Sequence, residues 1–198
     1  MPDRKLLLDL DRTLFNTPLF IRTLWDWIEK TYGVDAATSR KNMKSYFRYV
    51  GDMYDYDFFR HIAELGINTD DVVRRALHDF KAEVFIYSDV AAFLKNTMDI
   101  DRAILTFGND DYQQFKLSFC PELAGMSVHT TRSYKSEYIK KYWPSTPTIL
   151  VDDKLLVGTL PNNTNFIHID RVQTRPVIEH DTYVSVHSLA DIKQEWLL

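Results

Sequence analysis

The stretch Lys5-Leu6-Leu7-Leu8-Asp9-Leu10-Asp11-Arg12-Thr13 decides how the rest of the chain is read. Three consecutive leucines with no polar alternation read as a strand buried on both faces, the kind found in parallel sheets covered by helices. Two aspartates close the run, at the end of the strand where open α/β sheets bind their ligands. The same aspartates interrupt the apolar segment, so it lacks the core of a signal peptide. Nowhere does the chain reach the roughly 18 apolar residues of a membrane span.

The 198 residues carry 24 basic and 28 acidic side chains, a formal net charge of -4. That balance offers no global attraction to a nucleic-acid backbone. The single cysteine, Cys120, excludes an intramolecular disulfide framework and a zinc site built from clustered cysteines. With only 6 Gly and 7 Pro, the chain is neither collagen-like nor linker-rich. The expectation is a cytoplasmic protein with no membrane attachment and no nucleic-acid polymer as partner.

Further apolar runs follow the first: Ala103-Ile104-Leu105-Thr106-Phe107, Ser127-Val128-His129, Thr148-Ile149-Leu150-Val151-Asp152, Asn165-Phe166-Ile167-His168-Ile169 and Tyr183-Val184-Ser185-Val186. Helical patterns at 110–119, 133–142 and 188–196 alternate with them. Alternation of this kind defines an α/β fold, Rossmann-like, with a mainly parallel sheet flanked by helices. One interval departs from it. Thr17-Pro18 opens a helix whose apolar face is Phe20, Leu24, Trp27, Ile28 and Tyr32, with Gly33 as its stop. Helical patterns at 36–49, 54–65 and 69–80 follow, with no strand among them. An insertion of about 70 residues is too long for a connection and predicts a small all-helical subdomain mounted on the sheet's edge. The expected division is therefore a core of residues 1–16 and 86–198 and a cap of residues 17–85.

Chemistry-bearing residues collect at the expected carboxyl ends of the strands. These are Asp9 and Asp11 after the first, Thr106 with Gly108 and Asn109 after the second, Lys135 after the third and Asp152-Asp153 after the fourth. A carboxylate that attacks phosphorus divides one hard displacement into two easier ones. The repulsion between that anion and a phosphate calls for a nearby ammonium and a divalent cation. Lys135 offers the first, and clustered aspartates supply hard oxygen ligands suited to Mg²⁺. Thr106 donates a hydrogen bond to a phosphoryl oxygen, and Asp11 is placed to act as general acid and base. Thr106, Gly108, Asn109 and Lys135 form the candidate substrate-binding group, and Asp9, Asp11, Asp152 and Asp153 the candidate metal group.

In order and type, Asp9-Leu10-Asp11-Arg12-Thr13, Thr106, Lys135 and Asp152-Asp153 resemble the four motifs of the haloacid dehalogenase (HAD) superfamily. The resemblance spans the whole chain, the inserted segment matching the cap between the first and second motifs. It implies a Mg²⁺-dependent phosphatase acting on a small phosphorylated metabolite, with Asp9 as nucleophile and Asp11 as acid and base. Asp9, the Asp11 carbonyl and one of Asp152 and Asp153, preferably Asp153, would hold the metal. Arg12 stands where members commonly carry Gly. The segment Asp152-Asp153-Lys154-Leu155-Leu156-Val157-Gly158 lacks the further aspartate that many members place about four residues on.

Three other readings stay open. A receiver domain uses similar residues, but its phosphoacceptor follows the third strand, where this chain has His129-Thr130-Thr131. A catalytically idle scaffold on the same fold, and a phosphomutase sharing the first chemical step, are the others. The basic residues Arg40, Lys41, Lys44 and Arg48 read mainly as a solvated helix face. The inserted aromatics read as core, and the six histidines carry no assigned role.

Overall fold

The computed structural model describes residues 4–51, 53–81, 84–156 and 159–197. Val157 and Gly158, read as the tail of the fourth motif, lie outside the described residues. Along the chain, β1 (Lys5–Leu8) is followed by α1 (Thr17–Tyr32), α2 (Ala36–Asn42), β2 (Phe47–Val50), β3 (Met53–Tyr56), α3 (Phe58–Glu64) and α4 (Thr69–Asp79). Next come α5 (Val90–Asn96), β4 (Asp101–Phe107), α6 (Asp110–Leu117), β5 (Ser127–Thr131), α7 (Lys135–Tyr142) and β6 (Thr148–Asp152). The remaining elements are β7 (Thr164–Ile169), β8 (Val177–Glu179), β9 (Val184–Val186) and α8 (Gln194–Leu197). The chain forms two compact units. One comprises Met1–Asn16, Ile86–Thr106 and Gly125–Leu198, the other Thr17–Phe85 and Phe107–Ala124.

Among the described residues, the first unit carries a seven-stranded sheet in the order β5-β4-β1-β6-β7-β9-β8. β1 pairs in parallel with β4 on one side and β6 on the other, and β6–β7 and β7–β9 are parallel too. The short β8 runs antiparallel to β9. Leu6, Leu7 and Leu8 are wholly buried, as a central strand covered on both faces requires. Leu7 stands in register with Ala103 and Leu150 and packs with Leu105, Ile139 and Phe166. Burial of each such leucine contributes about 1.5–3 kcal/mol. From β1 the chain builds outward through β4 and β5, then crosses to β6 on the other side. In open α/β sheets such a reversal, here at the carboxyl end of β1, is where ligands bind.

In the second unit α1 begins at Thr17 and ends before Gly33, whose φ of +73° is the left-handed conformation glycine adopts without strain. Aromatic rings hold the unit together. Phe58 stacks on Phe115 at 5.8 Å and on Tyr112 at 5.1 Å, and Phe20 meets Phe85 edge-on at 5.1 Å. α6 is thus bound to the inserted helices through their side chains.

Two expectations for the inserted residues are corrected. The helix read across 36–49 stops at Asn42, and β2 and β3 form an antiparallel hairpin, so the insertion is not all helical. Phe47, Tyr49, Tyr54 and Tyr56 are strand formers that share one face of this hairpin, and the Phe47 and Tyr54 rings stack at 4.4 Å. Gly51, at φ 60°, supplies the turn. Consequently Arg40, Lys44 and Arg48 fall in a helix, a 3₁₀ turn and a strand, and form no common helix face. Arg40 is committed to Asp26 at 2.5 Å. Among the described residues no helix is long and apolar enough to cross a membrane.

Leu7→Ala should cost about 3 kcal/mol, because the well-packed centre of the sheet cannot collapse into the space left. Urea denaturation will read this as a lower midpoint at unchanged slope. A loss under about 1 kcal/mol would show that β1 is not the core of the first unit.

Candidate active site

The register of β1 builds the site. Leu8 pairs with Val151, and the Asp9 N–H continues the ladder by donating to the Val151 carbonyl at 2.9 Å. Asp9 therefore emerges beside Asp152, the last residue of β6. Lys135, the first residue of α7, reaches both. Its Nζ donates to Asp9 Oδ1 and, at 2.6 Å, to Asp152 Oδ2. All three side chains are buried. The other Asp152 oxygen accepts the Lys154 N–H at 2.9 Å. One carboxylate oxygen from each of Asp9, Asp152 and Asp153 lies within 4.8 Å of the others, a set able to hold one metal ion.

Asp11 stands two residues past Asp9, half-buried, in the turn that closes where Phe15 meets its backbone. Arg12 follows at φ 60°, the only non-glycine with positive φ among the described residues. Arginine there replaces the glycine such a conformation favours, and costs on the order of 1 kcal/mol. Thr106 is fully buried near the end of β4, two residues beyond the register partner of Leu8, and its hydroxyl has no hydrogen-bond partner. A buried orphan hydroxyl costs about 1–3 kcal/mol. Such a donor is suited to an oxyanion.

Gly108 and Asn109 belong to the second unit. Asn109 caps α6, its Oδ1 accepting the Tyr112 N–H at 3.2 Å. Gly108 has φ +144°, and a Cβ there would stand 2.7 Å from Gln113 Nε2. Gln113 is itself tied to the Phe107 carbonyl at 2.9 Å. Their visible work is to shape the start of α6.

Burial and crowding set the electrostatics. Asp9 is pushed well above the usual carboxylate range, first by burial; Lys135 opposes the shift, while Asp152, Asp153 and Asp11 add to it. Asp153 is pushed up to about 6 by burial and by the Asp152 charge. Burial alone would lower the Lys135 pKa, but Asp152 and Asp9 outweigh it and hold the side chain as a cation. Lys135 pairs with Asp9 and Asp152, while Asp153 has only the more distant charges of Lys135, Arg12 and Lys154 to oppose its burial. The clustered all-oxygen donor set, with Asp9 and Asp153 disfavoured as bare anions, fits a hard divalent cation such as Mg²⁺. Asp152 already spends an oxygen on Lys135 and another on Lys154, which leaves Asp9 and Asp153 the freer ligands.

His168 carried no assigned role, yet its Nε2 donates to the Asp153 carbonyl at 3.0 Å and its Nδ1 faces Ser185 Oγ at 3.1 Å. The contact steadies the Asp152-Asp153 turn from the neighbouring strand. Its signal is one of register, since His168 pairs with Asp152 across β6 and β7.

No protein-family model matches the chain, and no curated protein matches it. Solved structures do. A protein of Burkholderia xenovorans assigned as a haloacid dehalogenase-like hydrolase is 18% identical over 100% of both chains, with a TM-score of 0.69. A protein of Bacillus subtilis assigned as a HAD hydrolase, bound to magnesium, is 12% identical over 96% of this chain and 97% of its own, at 0.56. The L-2-haloacid dehalogenase of Xanthobacter autotrophicus is 18% identical over 88% and 80%, at 0.54. The chain has the fold of the haloacid dehalogenase-like hydrolases.

The raised Asp153 pKa gives stability a sign. Without divalent cations, the neutral carboxyl is the form the folded site favours. Its contribution is complete below about pH 4 and is lost as pH rises through about 6. Chelator-treated protein should therefore lose thermal stability across that window. Added Mg²⁺ should raise Tm at pH 7.5 and far less at pH 5, and Asp153→Asn should blunt both effects. A Tm gain from Mg²⁺ that is equal at both pH values would refute the assignment.

Proposed function

We propose that the chain is a Mg²⁺-dependent phosphohydrolase that cleaves a small phosphate monoester through an aspartyl-phosphate on Asp9. The observation that carries the reading is the Asp9 carboxylate, held by the Lys135 ammonium within a set of three aspartates of which Asp9 and Asp152 are buried and Asp153 half-buried, with a second acid at Asp11. An Asp9 oxygen attacks phosphorus, the ester P–O bond breaks, and the departing oxygen takes a proton from Asp11. Asp11 then accepts a proton from water as the water oxygen attacks the same phosphorus, releasing phosphate and restoring the Asp9 carboxylate. Lys135 and the Thr106 hydroxyl donate to phosphoryl oxygens as charge develops. Asp9, Asp153 and the Asp11 carbonyl would hold Mg²⁺, which when bound neutralises the substrate's charge and makes approach of one anion to another feasible.

A fold shared with a haloacid dehalogenase also admits attack of Asp9 on carbon. Asp11 and the cation-binding set argue for phosphorus, because displacement of halide needs neither a proton donor for the leaving group nor a divalent cation. Among phosphoryl-transfer enzymes, the acceptor separates hydrolase from mutase.

The test is release of inorganic phosphate from p-nitrophenyl phosphate and a panel of phosphorylated metabolites, with Mg²⁺ or with chelator. Metal-dependent turnover is expected, lost in Asp9→Asn and reduced on the order of 10²- to 10⁴-fold in Asp11→Asn. Full activity of Asp9→Asn, or chloride release from 2-chloropropionate without phosphatase activity, would overturn the proposal. Isomerised ester in place of free phosphate would identify a mutase.

A further inference from the structure

Arg171 follows β7 and lies 158 residues along the chain from Thr13, yet its Nη2 donates to the Thr13 carbonyl at 2.6 Å. Its Nη1 donates to Asp89 Oδ2, also at 2.6 Å. The guanidinium carbon sits 3.9 Å from the centre of the Tyr87 ring. Asp89 is fixed in turn by Ser188 Oγ at 2.5 Å and the Leu189 N–H at 2.8 Å. Although Asp89 precedes α5 at its N-cap position, its side chain makes no capping bond to that helix. The carboxylate is turned toward Arg171 and the 3₁₀ turn Leu189–Asp191.

This assembly bears on the turn that carries Asp11. Inside the turn, the Arg12 N–H donates to the Phe15 carbonyl at 2.8 Å, and the Leu14 and Phe15 N–H groups both donate to the Leu10 carbonyl, at 3.1 and 2.8 Å. These bonds accommodate the left-handed Arg12, a conformation that persists only where its surroundings over-determine it. From outside, two successive carbonyls are gripped: Thr13 by Arg171, and Leu14 by the Tyr87 N–H at 3.0 Å. A guanidinium suits this task because its rigid fork serves two acceptors while its face lies on a ring, which a lysine ammonium does not reproduce.

We infer that Arg171, anchored by Asp89, is a positioning residue that locks the Asp11 turn through the Thr13 carbonyl, and so sets the acid–base step. Its bearing on that step rests on the phosphohydrolase reading above; its hold on the turn does not.

The test uses the full chain with Arg171→Gln and Arg171→Lys, read two ways. Amide hydrogen exchange at Leu14 and Phe15 should speed up on the order of tenfold in Arg171→Gln relative to Leu7 and Leu8, whose ladder bonds are elsewhere, with Arg171→Lys intermediate. Unchanged exchange at the turn in both variants overturns the inference. In the phosphatase assay, kcat should fall about 10- to 100-fold with KM and the Mg²⁺ half-saturation each within about twofold, because misplacing an acid–base group harms the chemical step and spares binding. Faster exchange with unaltered kcat, or a loss confined to KM, also overturns it. If the unaltered chain hydrolyses no phosphate ester, the phosphohydrolase reading fails alone, and the exchange experiment still decides whether Arg171 locks the turn. Should Arg171→Gln fail to fold, Arg171→Lys gives the same two readouts.

Discussion

A buried ammonium between two buried carboxylates is the constraint on which the rest of the first unit depends. Lys135 touches Asp9 at the end of β1 and Asp152 at the end of β6, with all three shielded from water. Charges so placed are tolerated only when paired, and removing one partner typically costs about 3–5 kcal/mol. The contact therefore demands that β1 and β6 be neighbours in one register and that α7 begin at Lys135. It further requires enough apolar burial elsewhere to offset the desolvation. The fully buried leucines of β1 and the packing of Leu7, Leu105, Ile139 and Leu150 supply that burial.

The same arrangement is tuned against itself. Burial first, and the neighbouring carboxylates second, outweigh the nearby cations, so Asp9 and Asp153 sit where their charged forms are penalised. Thr106 adds a buried hydroxyl without a partner, and Arg12 adds a strained backbone. Each is a local cost inside an otherwise well-satisfied sheet. All of them gather at the carboxyl ends of β1, β4 and β6, where local costs of this kind are expected of a functional site.

Legibility in the sequence tracked how far each feature depends on local chemistry. β6 was readable to its ends, 148 and 152, because an uninterrupted apolar run ending in two acids has few other uses. Asp9, Lys135, Asp152 and Asp153 were readable as a group because each closes or follows such a run; the structure bonds Lys135 to Asp9 and Asp152 and places an Asp153 oxygen within 4.8 Å of theirs. The β2–β3 hairpin was hidden because its aromatic residues satisfy a helical spacing as well as strand alternation, and cross-strand stacking chose between them. β8, three residues at an edge, carries too little pattern to read. His168 and Arg171 escaped for a different reason: their partners are backbone carbonyls, which have no residue identity to recognise.

The placement of β1 also has a consequence for synthesis. Made before both of its partners, it finds its neighbours only when residues 101–107 and 148–152 have followed, since Leu7 pairs with Ala103 and Leu150. A Leu-Leu-Leu segment emerging from the ribosome thus waits for most of the chain before it can be buried. Pairing across such separations is slow, and an unpaired apolar strand is prone to stick to other chains. The aspartates at its end carry charge through that interval, and charges flanking an apolar strand discourage such association. The acids that close β1 in the finished molecule guard the nascent one.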